Sequence, residues 1–315
     1  MSAPVLVDIQ QLTRDFGPLR AVDEISFQVH QGEVLGFLGP NGAGKSSTMQ
    51  MITGNLAPTS GQIQINGIDL LDSPKQAKAQ IGYLPEQPPI YPDLTVDEYL
   101  RYAAKLNGIK GSAIKSAVEQ AKLRCGLEKV GARLAGNLSK GFQQRVGIAQ
   151  AIIHSPKVVI FDEPTVGLDP IQIREIRALI QELKSDHSVI LSTHILPEVQ
   201  TMCDRVLMIN RGKLLMSEAM NALLGDESQS TLLVGFNRAL EISALQTIPS
   251  IQQVEALADN RYRLVTDAPI EAAETIVKRS VAEDWHLIEL HQEKRSLEQV
   301  FVDTVYNDQG EVVTS

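Results

Sequence analysis

One run of residues in this sequence can hold a nucleotide's phosphates. Gly39-Pro40-Asn41-Gly42-Ala43-Gly44-Lys45-Ser46 matches the Gly-x4-Gly-Lys-Ser spacing of a phosphate-binding loop. Its glycines let backbone N–H groups curl around phosphate oxygens. Lys45 would reach the β- and γ-phosphates, and Ser46 would offer its hydroxyl to Mg²⁺. Ser47 opens a helix-compatible stretch over 47–52, whose N-terminal partial charge favours an anion. A second run, Val158-Val159-Ile160-Phe161-Asp162-Glu163, is an apolar strand ending in two acids. Open α/β sheets bind ligands at such strand ends. There Asp162 would hold Mg²⁺ and Glu163 would polarise a water for attack on the γ-phosphate.

These groups need a sheet to hold them. Residues 34–38 form a nearly continuous apolar strand, which reads as buried on both faces. Residues 5–9, 25–29 and 62–65 alternate apolar and polar side chains, as half-buried strands do. Ser73-Pro74 with Gln76, and Thr95 with Glu98, read as capping boxes opening helices. Residues 115–127 form a further predicted helix, so a mostly helical insert runs from about 88 to 137. Strand 158–161, a helix from Asp169-Pro170 to about 184, and strand 189–192 then imply parallel strands. After about residue 230 comes a small α+β unit, with strands at 232–234, 254–257, 262–265 and 286–290 and a helix at 270–282. Ser296 and Gln299 suggest another capping box, and residues 307–315 a frayed end.

Composition narrows the function. The chain has 315 residues with 43% hydrophobic and 21% charged side chains, enough for about two globular domains. No stretch is apolar enough to span a bilayer, and residues 1–8 show no secretory pattern. Acidic and basic residues balance over 1–222, so the formal charge of −9 sits entirely in 223–315. That asymmetry marks a boundary near residue 223 and argues against nucleic acid as a partner. Cys125 and Cys203 lack metal-ligand spacing, which fits structural thiols in a reducing cytoplasm.

Leu138-Ser139-Lys140-Gly141-Phe142-Gln143-Gln144-Arg145, about 20 residues before the acidic strand, resembles the signature motif of ABC-transporter ATPases. Gly167-Leu168-Asp169 resembles their D-loop, His194 their switch histidine, and Phe16 the aromatic that stacks on adenine. The resemblance covers 1–222. It implies a P-loop NTPase fold of class α/β: a RecA-like core, an antiparallel β subdomain and a helical subdomain, followed here by a small acidic α+β domain at 223–315. It further implies two such domains dimerising head to tail, with ATP and Mg²⁺ between the loop of one and the signature of the other. Ser139, Lys140 and Gly141 would then face the partner's nucleotide. Glu163 and His194 would be catalytic, Asp162 and Asp169 would lie in the site, and Ser46, Asp162 and Glu86 would be the Mg²⁺ ligands. The family usually has Gln after the strand preceding the helical insert, where this chain has Glu86 then Gln87. Either could sense nucleotide. Lys140 stands where Gly is commonest; it would add charge near the γ-phosphate or be a solvated side chain.

Leu84-Pro85-Glu86, the Lys-Gly-Phe signature and Leu297-Glu298-Gln299-Val300-Phe301 resemble the ATPases of ABC-2 type exporters, including gliding-motility-like systems. That branch implies a separate ABC-2 type transmembrane permease, a second ATPase subunit making a homodimer, and a peripheral place on the inner face of the cytoplasmic membrane. The tail would be regulatory or a dimer support. The alternatives are a soluble ABC ATPase acting on DNA or the ribosome, and an ATP-binding regulatory protein. The single cassette, short insert and acidic excess weigh against the first.

Overall fold

The parallel order expected from the strand–helix–strand spacing is realised in a six-stranded sheet. Its order is Lys213–Ala219, Arg205–Asn210, Val34–Leu38, Ser188–Thr193, Val158–Asp162 and Ile81–Leu84. The strand Val34–Leu38 runs parallel to both its neighbours, and Val158–Asp162 runs parallel to both of its own. All five residues of each are buried, the apolar runs as expected and Asp162 with them at the end of the second strand. The computed structural model describes residues 3–223, 230–293, 297, 298 and 301.

A second, antiparallel sheet is built from Leu19–His30, Val5–Phe16, Ser60–Ile65 and Ile68–Asp69. The two long strands extend well beyond the alternating segments at 5–9 and 25–29, because bulges let them bend and continue pairing. Their inward side chains, among them Val7, Ile9, Val22 and Ile25, share one core with Met49, Met51 and Ile52 of the helix Lys45–Ile52 and with Leu35 and Phe37 of the parallel sheet. The helix carrying Lys45 is thus held between two sheets.

The insert forms the helices Val96–Leu106 and Ala113–Cys125, and the signature segment opens a third, Lys140–Ile152. The capping box at Thr95 is formed: Glu98 N–H donates to Thr95 Oγ1 at 3.2 Å, and Thr95 N–H donates to Glu98 Oε2 at 2.9 Å. The one expected at Ser73 is not. The helix Pro74–Lys78 is a single turn and Ser73 makes no side-chain cap, so the backbone carbonyl of Ser73 takes the Gln76 and Ala77 N–H groups instead. The helix expected at 115–127 starts earlier, at Ala113, and stops at Cys125 because Gly126 turns left-handed.

Both thiols are buried. Burial pushes Cys125 up to about 12 and raises Cys203 as well, so neither is a nucleophile at neutral pH.

His187 is buried where the core meets the insert. Its Nδ1 lies 2.6 Å from the Pro156 carbonyl and its Nε2 lies 3.4 Å from Arg124 Nη1. The neutral ring can donate at Nδ1 and accept at Nε2, whereas a charged ring would present a second cation to Arg124. Burial, aided by Arg124, lowers its pKa, and burial lowers that of His154. The unfolded chain therefore binds more protons below about pH 6.5, and stability is lost as pH falls through that value. Melting temperature is expected to drop between pH 7.5 and pH 5.5, and His187→Gln to make that drop shallower. An unchanged slope in the variant would exclude His187 as its source.

The chain divides between Glu218 and Ala219, and the second compact unit spans 219–303. Its elements follow the order strand, helix, strand, strand, helix, strand: Ser230–Phe236, Ile242–Gln246, Ile251–Ala256, Arg261–Thr266, Pro269–Ala282 and Leu287–Glu293. The sheet places the fourth strand beside the first, then the third, then the second, with every neighbour antiparallel. This is the split βαβ, ferredoxin-like arrangement. Strands expected at 254–257 and 286–290 are shifted to Ile251–Ala256 and Leu287–Glu293. Trp285 is core, packed edge-on against Phe236 with the Arg279 guanidinium 5.0 Å above its ring. The capping box suggested at Ser296 and the end at 307–315 lie outside the described residues.

Candidate active site

Strand termini build the site. The carboxyl ends of Val34–Leu38, Val158–Asp162, Ser188–Thr193 and Ile81–Leu84 deliver the phosphate loop, Asp162-Glu163, His194 and Glu86 to the same edge of the parallel sheet. They meet at a cleft of about 380 Å³ lined by Asn41, Gly42, Gly44, Lys45, Ser46, Ser47, Glu86, Glu163 and His194. Gly44 caps the helix at φ 107, and a Cβ there would stand 2.6 Å from the Ala21 carbonyl oxygen, so only glycine fits the turn. Gly39, Pro40 and Ala43 complete the loop. Gly39 and Pro40 turn their carbonyls onto Lys45 Nζ, at 2.8 and 3.3 Å.

Lys45 is 6% exposed and faces Glu163 Oε1 at 3.5 Å. The other oxygen of Glu163 lies 3.0 Å from His194 Nδ1. Glu163 itself adopts φ 49, a left-handed conformation that costs a non-glycine residue energy and clusters at functional sites. Its N–H is held by both the carbonyl and the hydroxyl of Ser192, each at 3.1 Å. The same Ser192 hydroxyl donates to Asp162 Oδ1. Ser46 Oγ reaches that oxygen from the other side at 3.5 Å. Tyr83, beside Asp162, is pushed up to about 12, by burial first and by the Asp162 charge second, so its phenol stays neutral.

Not every predicted residue joins this cleft. Glu86 lines it and Gln87 does not. Phe16 ends its strand on the surface with the Arg14 guanidinium 4.5 Å over one ring face. Ser139 caps the helix Lys140–Ile152, accepting from the Phe142 N–H. The Lys140 ammonium lies against Gly167, and Gly141 lies against the Gln172 side chain. Asp169 caps the next helix, its Oδ1 accepting from the N–H groups of Ile171 and Gln172 at 2.9 Å. Residues 139–141 therefore sit beside 167–172 of the same chain and do not line the cleft that holds the phosphate loop. Sequence reasoning missed Ser192, Ala21 and Val166. A serine closing the apolar run Val189-Ile190-Leu191 was the available signal for the first; the other two line the cleft and give none.

The family model described as ABC transporter matches residues 22–166. The ABC transporter ATP-binding protein YxlF of Bacillus subtilis is 30% identical over 302 residues, spanning 96% of this chain and 100% of that one. The chain belongs to the ABC transporter ATP-binding proteins. The bacitracin transport ATP-binding protein BcrA of Bacillus licheniformis is 41% identical over 212 residues, 67% of this chain and 68% of that one. A solved ATP-binding subunit of an ABC transporter superposes with a TM-score of 0.63 at 32% identity, over 69% of this chain and 91% of that one. The chain is accordingly the ATP-binding and ATP-hydrolysing subunit of a transporter. No helix among the described residues is long and apolar enough to cross a membrane.

Proposed function

We propose that this chain powers an ABC-2 type exporter as a head-to-tail homodimer, bound peripherally to the inner face of the cytoplasmic membrane through a separate permease. The observation that carries this is the separation of the signature from the cleft. One chain gathers Lys45, Ser46, Asp162, Glu163 and His194, while Ser139, Lys140 and Gly141 lie elsewhere, so the second half of the site is supplied by another copy. The Leu-Pro-Glu and Lys-Gly-Phe segments support the exporter branch.

Mg²⁺ fits the residues present. Ser46 and Asp162 converge on one point with Glu86 in the same cleft, giving only hard oxygen donors. Among the described residues there is no three-ligand protein cage, which suits an ion held jointly with substrate phosphates. When bound, the ion would neutralise charge on the phosphates. Lys45 would exchange its loop carbonyls and Glu163 for phosphate oxygens. Glu163, released from Lys45, would orient the attacking water and accept its proton, while His194 would contact the γ-phosphate. Glu86 fills the nucleotide-sensing position, and Phe16 offers its open face to adenine.

Tagged Glu163→Gln, loaded with ATP and Mg²⁺ in its own host and captured from gently solubilised membranes, is expected to bring down a polytopic membrane protein in near-stoichiometric yield. Ribosomal or DNA-repair proteins without a membrane partner would overturn the exporter reading in favour of the soluble one. Residues 223–315 are proposed as a regulatory domain. A chain lacking 226–315 that captures the same permease and hydrolyses ATP at the same rate would remove that role.

A further inference from the structure

The switch histidine sits on a turn whose geometry is fixed from below. Thr193 and Glu198 are both fully buried. Thr193 Oγ1 donates to Glu198 Oε2 at 3.0 Å and accepts the Ile195 N–H at 3.0 Å, and the Glu198 N–H closes the turn on the Ile195 carbonyl at 3.0 Å. His194 lies between the partners of the first two bonds, and the third fixes the turn that follows it. Its own ring projects outward to Glu163. The helix Leu196–Met202, which carries Glu198, is seated on the strand leading into the phosphate loop: a Cβ on Gly36 would stand 2.8 Å from Cys203 Sγ and 3.1 Å from a Val199 methyl.

A carboxylate is a costly way to fill this space. Among the described residues Glu198 has no ion-pair partner, and its Oε1 has no hydrogen-bond partner. A buried acid served by one neutral hydroxyl is less favourable than an apolar side chain of the same volume. What it supplies that leucine could not is the acceptor that fixes the Thr193 rotamer. With Thr193 fixed, its hydroxyl holds the Ile195 N–H and the His194 backbone cannot turn.

We propose that Glu198 is a positioning residue for ATP hydrolysis, acting through Thr193 to hold His194 against Glu163. The inference rests on the ATPase role given to His194. Misplacing a catalytic group by about 1 Å costs up to roughly a hundredfold in rate. Glu198→Ala is therefore expected to lower kcat by roughly tenfold or more while leaving KM for MgATP within about twofold. Glu198→Gln, whose amide oxygen can still accept from Thr193, is expected to restore most of the rate. Thr193→Val should reproduce the Glu198→Ala defect, and serves if that variant fails to fold.

The deciding comparison is made in a His194→Ala background, with radiolabelled phosphate release as the readout. There Glu198→Ala should lower the rate no further, because its target is gone. An equal loss with and without His194, a defect in KM instead of kcat, or a Glu198→Gln chain as slow as Glu198→Ala would each overturn the inference. A His194→Ala chain as fast as the wild type would instead overturn the role of His194, so the two failures are distinguishable.

Discussion

Glu163→Gln is expected to bind MgATP as tightly as the wild type and to release phosphate at about one hundredth of the wild-type rate or less. The amide keeps the shape of a side chain that is only 9% exposed, and it can keep a hydrogen bond to His194. It cannot take a proton from water, and general base catalysis is typically worth about 10²–10⁴ in rate. Backbone strain does not confuse the comparison. The φ of 49 at this position is set by the two Ser192 bonds to the backbone N–H, and glutamine bears it as glutamate does. The variant should fold normally, retain uncleaved ATP and run as a dimer on gel filtration in its presence. Wild-type turnover would exclude Glu163 as the base, and monomeric elution with ATP bound would count against the two-chain site.

The residues proposed to act on nucleotide could be picked out because their motifs are local in sequence, and strand termini bring several of them to one cleft. The phosphate loop lies in a strand, a turn and a helix start within 34–47, and the two acids stand at the end of an otherwise wholly apolar strand. The supports were harder to see. Ser192 belongs to a different strand from the Asp162 and Glu163 it holds, and only the parallel pairing of Asp162 with Ser192 brings them side by side. Local signals also misled. Ser73-Pro74 does open the helix Pro74–Lys78, but the capping box read there does not form: the Ser73 side chain makes no cap bond. In the second unit, residue type located the strands to within a few positions, while their order came from pairings between distant segments that no local pattern encodes.

Lys45→Ala should weaken ATP binding by roughly ten- to a hundredfold, the worth of one charge-assisted contact to phosphate. It should also destabilise the protein in the absence of nucleotide, which a simple binding residue would not do. Lys45 and Glu163 are both nearly buried and lie 3.5 Å apart. Removing the cation leaves the carboxylate with His194 at 3.0 Å, in a site that also holds the acidic Asp162 and Glu86. An uncompensated buried charge is the expensive case, and a loss of about 1–3 kcal/mol is expected from denaturant unfolding. Adding Glu163→Gln to Lys45→Ala removes that charge, so the double variant should recover most of the stability while remaining a poor ATP binder. The two effects separate because they have different partners: affinity depends on lysine and phosphate, stability on lysine and glutamate. If the second substitution restores no stability, the pair is not what holds the empty site, and the exchange of Glu163 for phosphate at Lys45 loses its energetic basis. If it restores both, the affinity defect came from a collapsed loop and not from a missing phosphate contact.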